Sequence, residues 1–470
     1  AMDGLEDHAA YGRVDGKPVK AAGWMTASFR HLTSRALDPF PHHHNVVANT
    51  VTLPDGTHRG LDARGLYRHA HAASALATAE MRHQLSTRLG VRWRPSQRPG
   101  GWEIDGIDDK VIREFSQRRS EMDDALRELE EEIGRGAHPA EVDRISLRTR
   151  PAKSQTPAAT LVDGWRQRAA ALGLDAAALE ALANHTLMVD EPEPAVVFAS
   201  LAGPDGICAG GSVFSRTEAL TALASHPVPM RGGPDQPLLV GAARLETTVD
   251  EFLQPPHVVQ VTATEEPLFS TREMLGVQER VATRFTKGLH QGAHLVADHH
   301  IDTALSRHPH LTHEQRNLVE TWCGDGHRHQ AAVGRAGAGK TTTVAACADA
   351  WNAAGYRVMG AAVKGEAART LAAATGIECE TVAWYLAHDD PDQYPIDART
   401  VLVIDEASTL PDRDLDALMT MAATTGASVR LIGDPAQHGA ISAGGMFRVL
   451  CERHPHVTPA PPTTHRVLDP

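Results

Sequence analysis

The order of hydrophobic and polar positions divides the chain into four stretches of different character. Up to about residue 95 the pattern predicts a short helix, with Tyr11 in a helix-like stretch, and then a His-rich strand from His42 to Leu53. Pro54-Asp55-Gly56 closes that strand with a turn signal. Gly65 to Leu89 is Ala-rich and helical, with Gly90 as its C-cap. From 96 to 160 Ile107, Val111, Phe115, Met122, Leu126, Leu129 and Ile133 form one apolar stripe among alternating charges, which predicts a solvated amphipathic helix pair. Pro151 and Pro157 mark 151–160 as a linker. Residues 161–305 read as helices with strand-like pieces such as Val258 to Val261. From about 306, short apolar strands alternate with helices, the strands being Gln330–Val333, Arg357–Ala362, Val401–Ile404 and Ser428–Ile432.

These patterns predict a multidomain α/β chain. A partial α+β domain, whose sheet holds the His-bearing strand, occupies 1–95. A charged helical segment and linker follow over 96–160, a helical accessory region over 161–305, and a phosphate-loop domain with a parallel sheet over 306–470. Composition changes little in this picture: 42% of residues are hydrophobic and 22% charged, as in ordinary globular chains. No run of about 18 apolar residues predicts a membrane span, and the N-terminal residues do not form a signal pattern. Five scattered Cys without a Cys-x-x-Cys pair fit a reducing cytoplasm. The net charge of -13 does not advertise a nucleic-acid binder, although a groove can be locally basic. The count of 27 His invites a search for ligand spacing.

Gly334-Arg335-Ala336-Gly337-Ala338-Gly339-Lys340-Thr341 fits GxxxxGK[ST] between a predicted strand and a predicted helix. Such glycines let backbone N–H groups curl around a phosphate, and the helix N-terminus adds its positive dipole end. Lys340 then reaches the β/γ-phosphates of ATP, and the Thr341 hydroxyl, followed by Thr342, meets Mg²⁺. The apolar run Val401-Leu402-Val403-Ile404 delivers Asp405 and Glu406 to the C-terminal edge of the sheet, where ligands bind in open α/β folds. Asp405 is placed to hold Mg²⁺, and Glu406 to activate the attacking water.

A second constellation is Phe29-Arg30-His31 with Pro39-Phe40-Pro41-His42-His43-His44. On a strand His42 and His44 share a face and His43 takes the other. His31, eleven residues upstream, can return on an adjacent element. Three imidazoles so arranged make a divalent transition-metal site; a His-rich surface strand is the plainer alternative.

Both constellations resemble known families. Gly433-Asp434-Pro435-Ala436-Gln437 resembles motif III of superfamily 1 helicases, in which the Gln senses the γ-phosphate. Leu311-Thr312-His313-Glu314-Gln315 resembles their Q motif, whose Gln reads adenine. Ala361 to Ala368 is similar to motif Ia, which touches single-stranded DNA. Together with the phosphate loop these imply a RecD-like, RecA-fold motor domain that includes Gly433, Asp434 and Gln437 in its nucleotide site. The stretch from Phe29 to Asn49 looks like the three-His motif of MobF-type (TrwC/TraI-like) conjugative relaxases. In that family the His residues bind a metal that polarises the scissile DNA phosphate, a Tyr near the N-terminus attacks it, and a RecD-like helicase follows. Leu61 to Tyr67, Gly90 to Trp93 and Phe115 to Arg119 are similar to it as well. The resemblance implies single-stranded and plasmid DNA and the conjugation machinery as partners, and movement from 5′ to 3′.

Two departures accompany it. Tyr11 is the sole Tyr ahead of His31 and resembles a mid-domain residue rather than the nucleophile. Thr463-Thr464-His465-Arg466 resembles the start of motif IV, and the sequence stops at Pro470. The expectation is an internal fragment of a relaxase-helicase that by itself neither nicks nor unwinds. The competing readings are a stand-alone RecD-like DNA-dependent ATPase and a non-catalytic remnant that binds ATP, metal and single-stranded DNA.

Overall fold

The computed structural model describes residues 2–97, 100–149, 156, 158–183, 193–228, 234–264, 266–335, 339–388, 396–436 and 443–459. They fall into two compact units, one of Ala1–Phe198 with Arg216–Glu251 and one of Ala199–Ser215 with Phe252–Pro470. Among the described residues no helix is long and apolar enough to cross a membrane.

The first unit starts with α1 (Met2–Ala9) and the hairpin β1 (Tyr11–Val14) and β2 (Lys17–Lys20). Tyr11 therefore begins a strand, not the helical stretch expected of it. Asp15 and Gly16 take φ of 49° and 78°, the conformation whose twist suits a two-residue hairpin, and the hairpin pairs Tyr11 with Lys20. A three-stranded antiparallel sheet follows in the order β3 (Gly23–Thr33), β4 (Pro39–Thr52), β5 (His58–Arg59). The strand expected from His42 thus begins at Pro39. The long helix α2 (Arg64–Leu89) ends where the sequence indicates: Gly90 has φ 66° and its N–H donates to the Ser86 carbonyl, 2.9 Å. Ala72, Leu76 and Ala79 on its inner face are buried.

A short hairpin of β6 (Trp93–Pro95) and β7 (Trp102–Ile104) comes next. The stripe from Ile107 to Ile133 is not one continuous face. It is divided between α3 (Asp109–Glu114) and α4 (Gln117–Ile133), with the break at Phe115 and Ser116. Asp108 caps α3, its carboxylate accepting from the Lys110 N–H. No residue of α4 is buried, so its amphipathic pattern belongs to a solvated helix, as the charge alternation indicates. It is followed by α5 (Pro139–Arg148) and α6 (Ala158–Ala171). Pro151 and Pro157 of the expected linker lie outside the described residues, and 158–160 are already helical.

The second unit is built on a fully parallel sheet. Its strands are β8 (His329–Val333), β9 (Arg357–Ala362), β10 (Glu378–Thr381), β11 (Thr400–Ile404) and β12 (Ser428–Gly433), in the order β8-β12-β11-β9-β10. Four of these were legible as apolar runs. The edge strand β10, Glu378-Cys379-Glu380-Thr381, was not, because only one of its faces packs and its sequence is half acidic.

Helices cover both faces of the sheet. Leu402, Ile404 and Leu431 pack on Phe285 of α7 (Arg272–Lys287) and on Leu415 and Met419 of α11 (Asp412–Thr425). Val401, Val403 and Ile432 pack on Trp322 of α8 (His313–Gly324) and on Val344 and Trp351 of α9 (Lys340–Ala353). Burial on both sides is why the strands are continuous apolar runs rather than alternating ones. The remaining labelled helices are α10 (Gly365–Thr375) and α12 (Met446–Arg453).

Candidate metal centre and nucleotide site

The β3–β4 ribbon brings the three predicted histidines together. In its antiparallel register His31 lies opposite His42, and Phe29 opposite His44. With a side-chain period of two, Phe29, His31, Phe40, His42 and His44 then share one face of the sheet. The ligand nitrogens of His31, His42 and His44 all lie within 4.8 Å of one another. His42 Nε2 and His44 Nε2 are 3.3 Å apart. The His42 Nδ1 stands 2.8 Å from the Phe40 carbonyl, so Nδ1–H donates there and the Nε2 lone pair is left for the cluster. His43 faces away, 3.2 Å from Ser28 Oγ. Three imidazoles converging with open space on one side fit a divalent transition ion with free coordination positions.

A small loop sets this register. The Ser34 N–H donates to the Asp38 carbonyl at 2.9 Å, and Ser34 Oγ accepts from the N–H groups of Ala36 and Asp38 at 3.2 Å each. Leu37 takes φ 65° there, a left-handed conformation rare for Leu, and its carbonyl accepts from Trp165 Nε1 at 2.9 Å. The register shifts between His31 and Thr33, the kind of irregularity that re-aims side chains beside sites. Asp38 is buried at the loop's end, its Oδ2 accepting from the Gln117 N–H at 3.1 Å and its Oδ1 3.9 Å from Arg168. Burial raises the Asp38 pKa above the ordinary carboxylate value, against the lowering effect of Gln117 and Arg168.

The histidine face opens on a cleft of about 850 Å³, whose far wall is Arg118, Ser146 and Leu147 of α4 and α5. Tyr11 does not line it. Its carbonyl accepts from the Asp62 N–H at 2.7 Å.

In the second unit, parallel strands put the loops after β8, β9, β11 and β12 at one edge of the sheet. Gly334 follows β8, and its N–H donates to the Gly433 carbonyl at 2.7 Å, joining the phosphate loop to the end of β12. A Cβ at Gly334 would strike the Lys340 side chain, which folds over it. Gly339 is the N-cap of α9 with φ 71°, and a Cβ there would strike Gln315 Nε2. The two ends of the loop, Gly334 and Gly339, thus form a cradle that side chains would fill, as close approach of a phosphate requires. Lys340, Thr341 and Thr342 form the first turn of α9, whose N-terminal N–H groups have no partner within the helix.

Asp405 follows β11, its N–H donating to the Ala361 carbonyl at 2.9 Å. Asp405 Oδ1 in turn accepts from the Glu406 N–H at 2.8 Å. Glu406 has φ 52°, a left-handed backbone costly for a residue with a Cβ, and it is held by Thr409, whose N–H and Oγ1 donate to its carbonyl at 2.8 and 2.9 Å. Asp434 Oδ1 accepts from the Ala436 N–H at 3.0 Å. Gly337 and Gln437 lie outside the described residues, as do Thr463 to Arg466.

One contribution escaped the sequence reading. Gln315 closes a capping box on α8: the Thr312 N–H donates to Gln315 Oε1 at 2.9 Å, and the Gln315 N–H to Thr312 Oγ1 at 3.3 Å. Thr-x-x-Gln ahead of a helix is the signal for it. The cap fixes the Gln315 amide beside Gly339.

A three-imidazole sheet face and a phosphate loop at the edge of a RecA-like parallel sheet define a chain of two chemistries. Residues 1–172 match the family model of the TrwC relaxase, and residues 310–460 match that of an AAA domain. The chain thus carries a segment that matches the TrwC relaxase model followed by one that matches an AAA domain. It is 35% identical over 185 residues to a probable conjugal transfer protein TraA of Sinorhizobium fredii, a stretch that is 39% of this chain and 17% of that protein. Over 154 residues it is 32% identical to the ATP-dependent RecD2 DNA helicase of Deinococcus radiodurans, covering 31% of this chain and 21% of the helicase. A solved structure of the conjugative relaxase TrwC in complex with oriT DNA is 25% identical, with a TM-score of 0.33 over 37% of this chain and 62% of that one.

Proposed function

We propose that this chain acts as a conjugative relaxase-helicase that nicks and unwinds plasmid DNA in the cytoplasm, with a three-His metal site and an ATP-binding RecD-like motor segment. The observation that carries the reading is the presence in one chain of a three-imidazole cluster and a phosphate-loop parallel sheet. A divalent transition ion held by His31, His42 and His44 would supply positive charge to a DNA phosphate. The chain's own part is to orient the three rings, through the β3–β4 register and the His42–Phe40 bond, and to leave the open side of the cluster to single-stranded DNA.

In the motor segment Gly334, Gly337 and Gly339 give backbone N–H groups to ATP phosphates, and Lys340 gives its ammonium. Thr341 and Asp405 would hold Mg²⁺, with Thr342 beside them in the first turn of α9. Glu406 orients and deprotonates the attacking water. Gly433, Asp434 and Gln437 stand at the γ-phosphate, and Gln315 at the adenine. The relatives, a conjugal transfer protein and an ATP-dependent DNA helicase, support plasmid DNA as substrate and the conjugation machinery as partner.

Two titrations test the reading. Calorimetry with Mn²⁺, Ni²⁺ or Zn²⁺ is expected to give one site in the parent and in His43→Ala, and none in the His42→Ala, His44→Ala double variant. Equal binding by parent and double variant sinks the metal assignment. A fluorescent ATP analogue with Mg²⁺ is expected to bind the parent and to be lost from Lys340→Ala, which removes the charge that meets the phosphates; equal binding by the two overturns the nucleotide assignment.

A further inference from the structure

The histidine face carries two aromatic rings that neither metal ligation nor folding uses. Phe29 and Phe40 are 54% and 56% exposed, although large apolar side chains normally gain about 1.5–3 kcal/mol by burial. Both project from the face that bears the histidines. Phe29 lies directly across from His44, and Phe40 precedes His42 by one side-chain period, its ring tilted against the His42 imidazole with centroids 4.8 Å apart. At about 3.4 Å of rise per residue, four residues separate Phe40 from the level of Phe29, about 13–14 Å along the ribbon. The His31–His42 pair lies between those two levels, and His44 stands at the level of Phe29.

The lining of the cleft is also one-sided in charge. Among the described residues it includes Arg35 and Arg118 and no carboxylate, in a chain whose net charge is -13. The Arg118 guanidinium bonds to the Ser146 and Thr149 carbonyls, at 2.8 and 3.1 Å, so these bonds hold it in place without neutralising it. A cationic cleft with exposed rings at both ends of a phosphate-directed cluster complements a polyanion whose bases are unstacked.

We propose that Phe29 and Phe40 are base-stacking platforms on either side of the histidine centre, each holding one unstacked nucleobase of a single DNA strand while the phosphodiester between them lies over His31, His42 and His44. This inference rests on the proposed DNA-processing reading of the same site. Every base offers a π-face, so stacking grips the strand without choosing a sequence. Two platforms also fix the direction and height of the intervening phosphate, which a single cation cannot do. Phe29 and Phe40 are thereby positioning residues.

The test uses the full chain and a short single-stranded DNA of mixed sequence bearing 5-iodouracil, which photocrosslinks to a stacked ring. Irradiation and peptide mass spectrometry are expected to place crosslinks on Phe29 and Phe40 in the parent. Phe29→Ala and Phe40→Ala should each lose their own crosslink, and affinity for the strand at this site should fall roughly five- to hundredfold, the worth of one base–aromatic stack. Phe29→Trp and Phe40→Trp should restore both. Calorimetric Mn²⁺ binding should be the same in the alanine variants as in the parent. Loss of metal binding in those variants would mean the rings support the site rather than the base, and would overturn the proposal. Crosslinks confined to other segments, or none in the parent, would overturn it too, as expected if a protein surface covers these rings instead. Crosslinks on Phe29 and Phe40 in a parent that binds no metal would keep the platforms and remove the metal assignment, so the two failures are distinguishable.

Discussion

Glu406 shows at the scale of one residue how chemistry and backbone compete. Its φ of 52° costs about 1–2 kcal/mol for a side chain with a Cβ, and it sits directly after the buried strand that delivers Asp405. Asn tolerates that conformation better and lacks a carboxylate. Glu406→Asn is therefore expected to melt at the same temperature as the parent or higher, by up to about 1 kcal/mol, while ATP turnover falls about 10²–10⁴-fold, the usual contribution of a general base. Melting curves and a phosphate-release assay check the two halves. A clear fall in stability would show that the Glu406 side chain holds the turn together. Nothing in the apolar run before it announces the strain. The acid pair was legible because four buried residues must end at the sheet edge, and the φ is set by the turn that edge requires.

At the scale of elements, α8 and α9 meet the phosphate loop through glycine and glutamine. Gly339 and Gly376 both end or begin helices in left-handed conformations, with φ of 71° and 70°. A Cβ at Gly376 meets open space, whereas one at Gly339 strikes the Gln315 amide. Gly376→Ala should cost only the backbone strain, about 1 kcal/mol, and leave nucleotide affinity unchanged. Gly339→Ala should cost as much stability and also weaken binding of a fluorescent ATP analogue by at least tenfold, because the loop and the capped Gln315 must separate. Similar affinities in the two variants would contradict the cradle.

The β3–β4 ribbon makes the complementary case. Its three histidines could be read from His-x-His spacing, but the opposition of His31 and His42 depends on the Ser34 loop and the register shift after His31. Ser34→Ala removes the acceptor of two loop N–H groups. It is expected to lower metal affinity several-fold by calorimetry without touching a ligand; unchanged affinity would show that the strands alone fix the register.

For the molecule as a whole, the second unit buries His294 and His329 close to arginines. Burial pushes His294 down to about 4 and His329 to about 3, with the nearby Arg430 and Arg328 adding to both. The unfolded chain takes up these protons below the ordinary value of about 6.5, whereas the folded unit refuses them until about 4 and 3. Their contribution to stability is thus complete above about 6.5 and is lost as pH falls from there toward 4 and 3. Within that window each histidine adds up to about 1.4 kcal/mol per pH unit to the loss. Melting temperatures at pH 7.5, 6 and 5 should fall progressively, and His329→Phe should flatten the fall. A parent that melts alike at all three values would contradict neutral burial of these rings.

Local rules sufficed wherever a residue's neighbours in sequence decide its state. The phosphate loop, the acid pair after β11, the Gly90 cap and four of the five parallel strands follow from periodicity, helix-end chemistry and the burial of both sheet faces, all of which are written in consecutive residues. Tertiary structure decided what depends on partners far along the chain. It made Tyr11 a strand residue through its hairpin, broke the stripe after Ile107 into separate helices, and recruited the polar segment Glu378–Thr381 as an edge strand because β9 offered it hydrogen bonds on one side. It also set His31 against His42 and left Phe29 and Phe40 exposed beside them. Sequence shows which side chains a segment carries; strand register and loop closure alone decide which of them share a face.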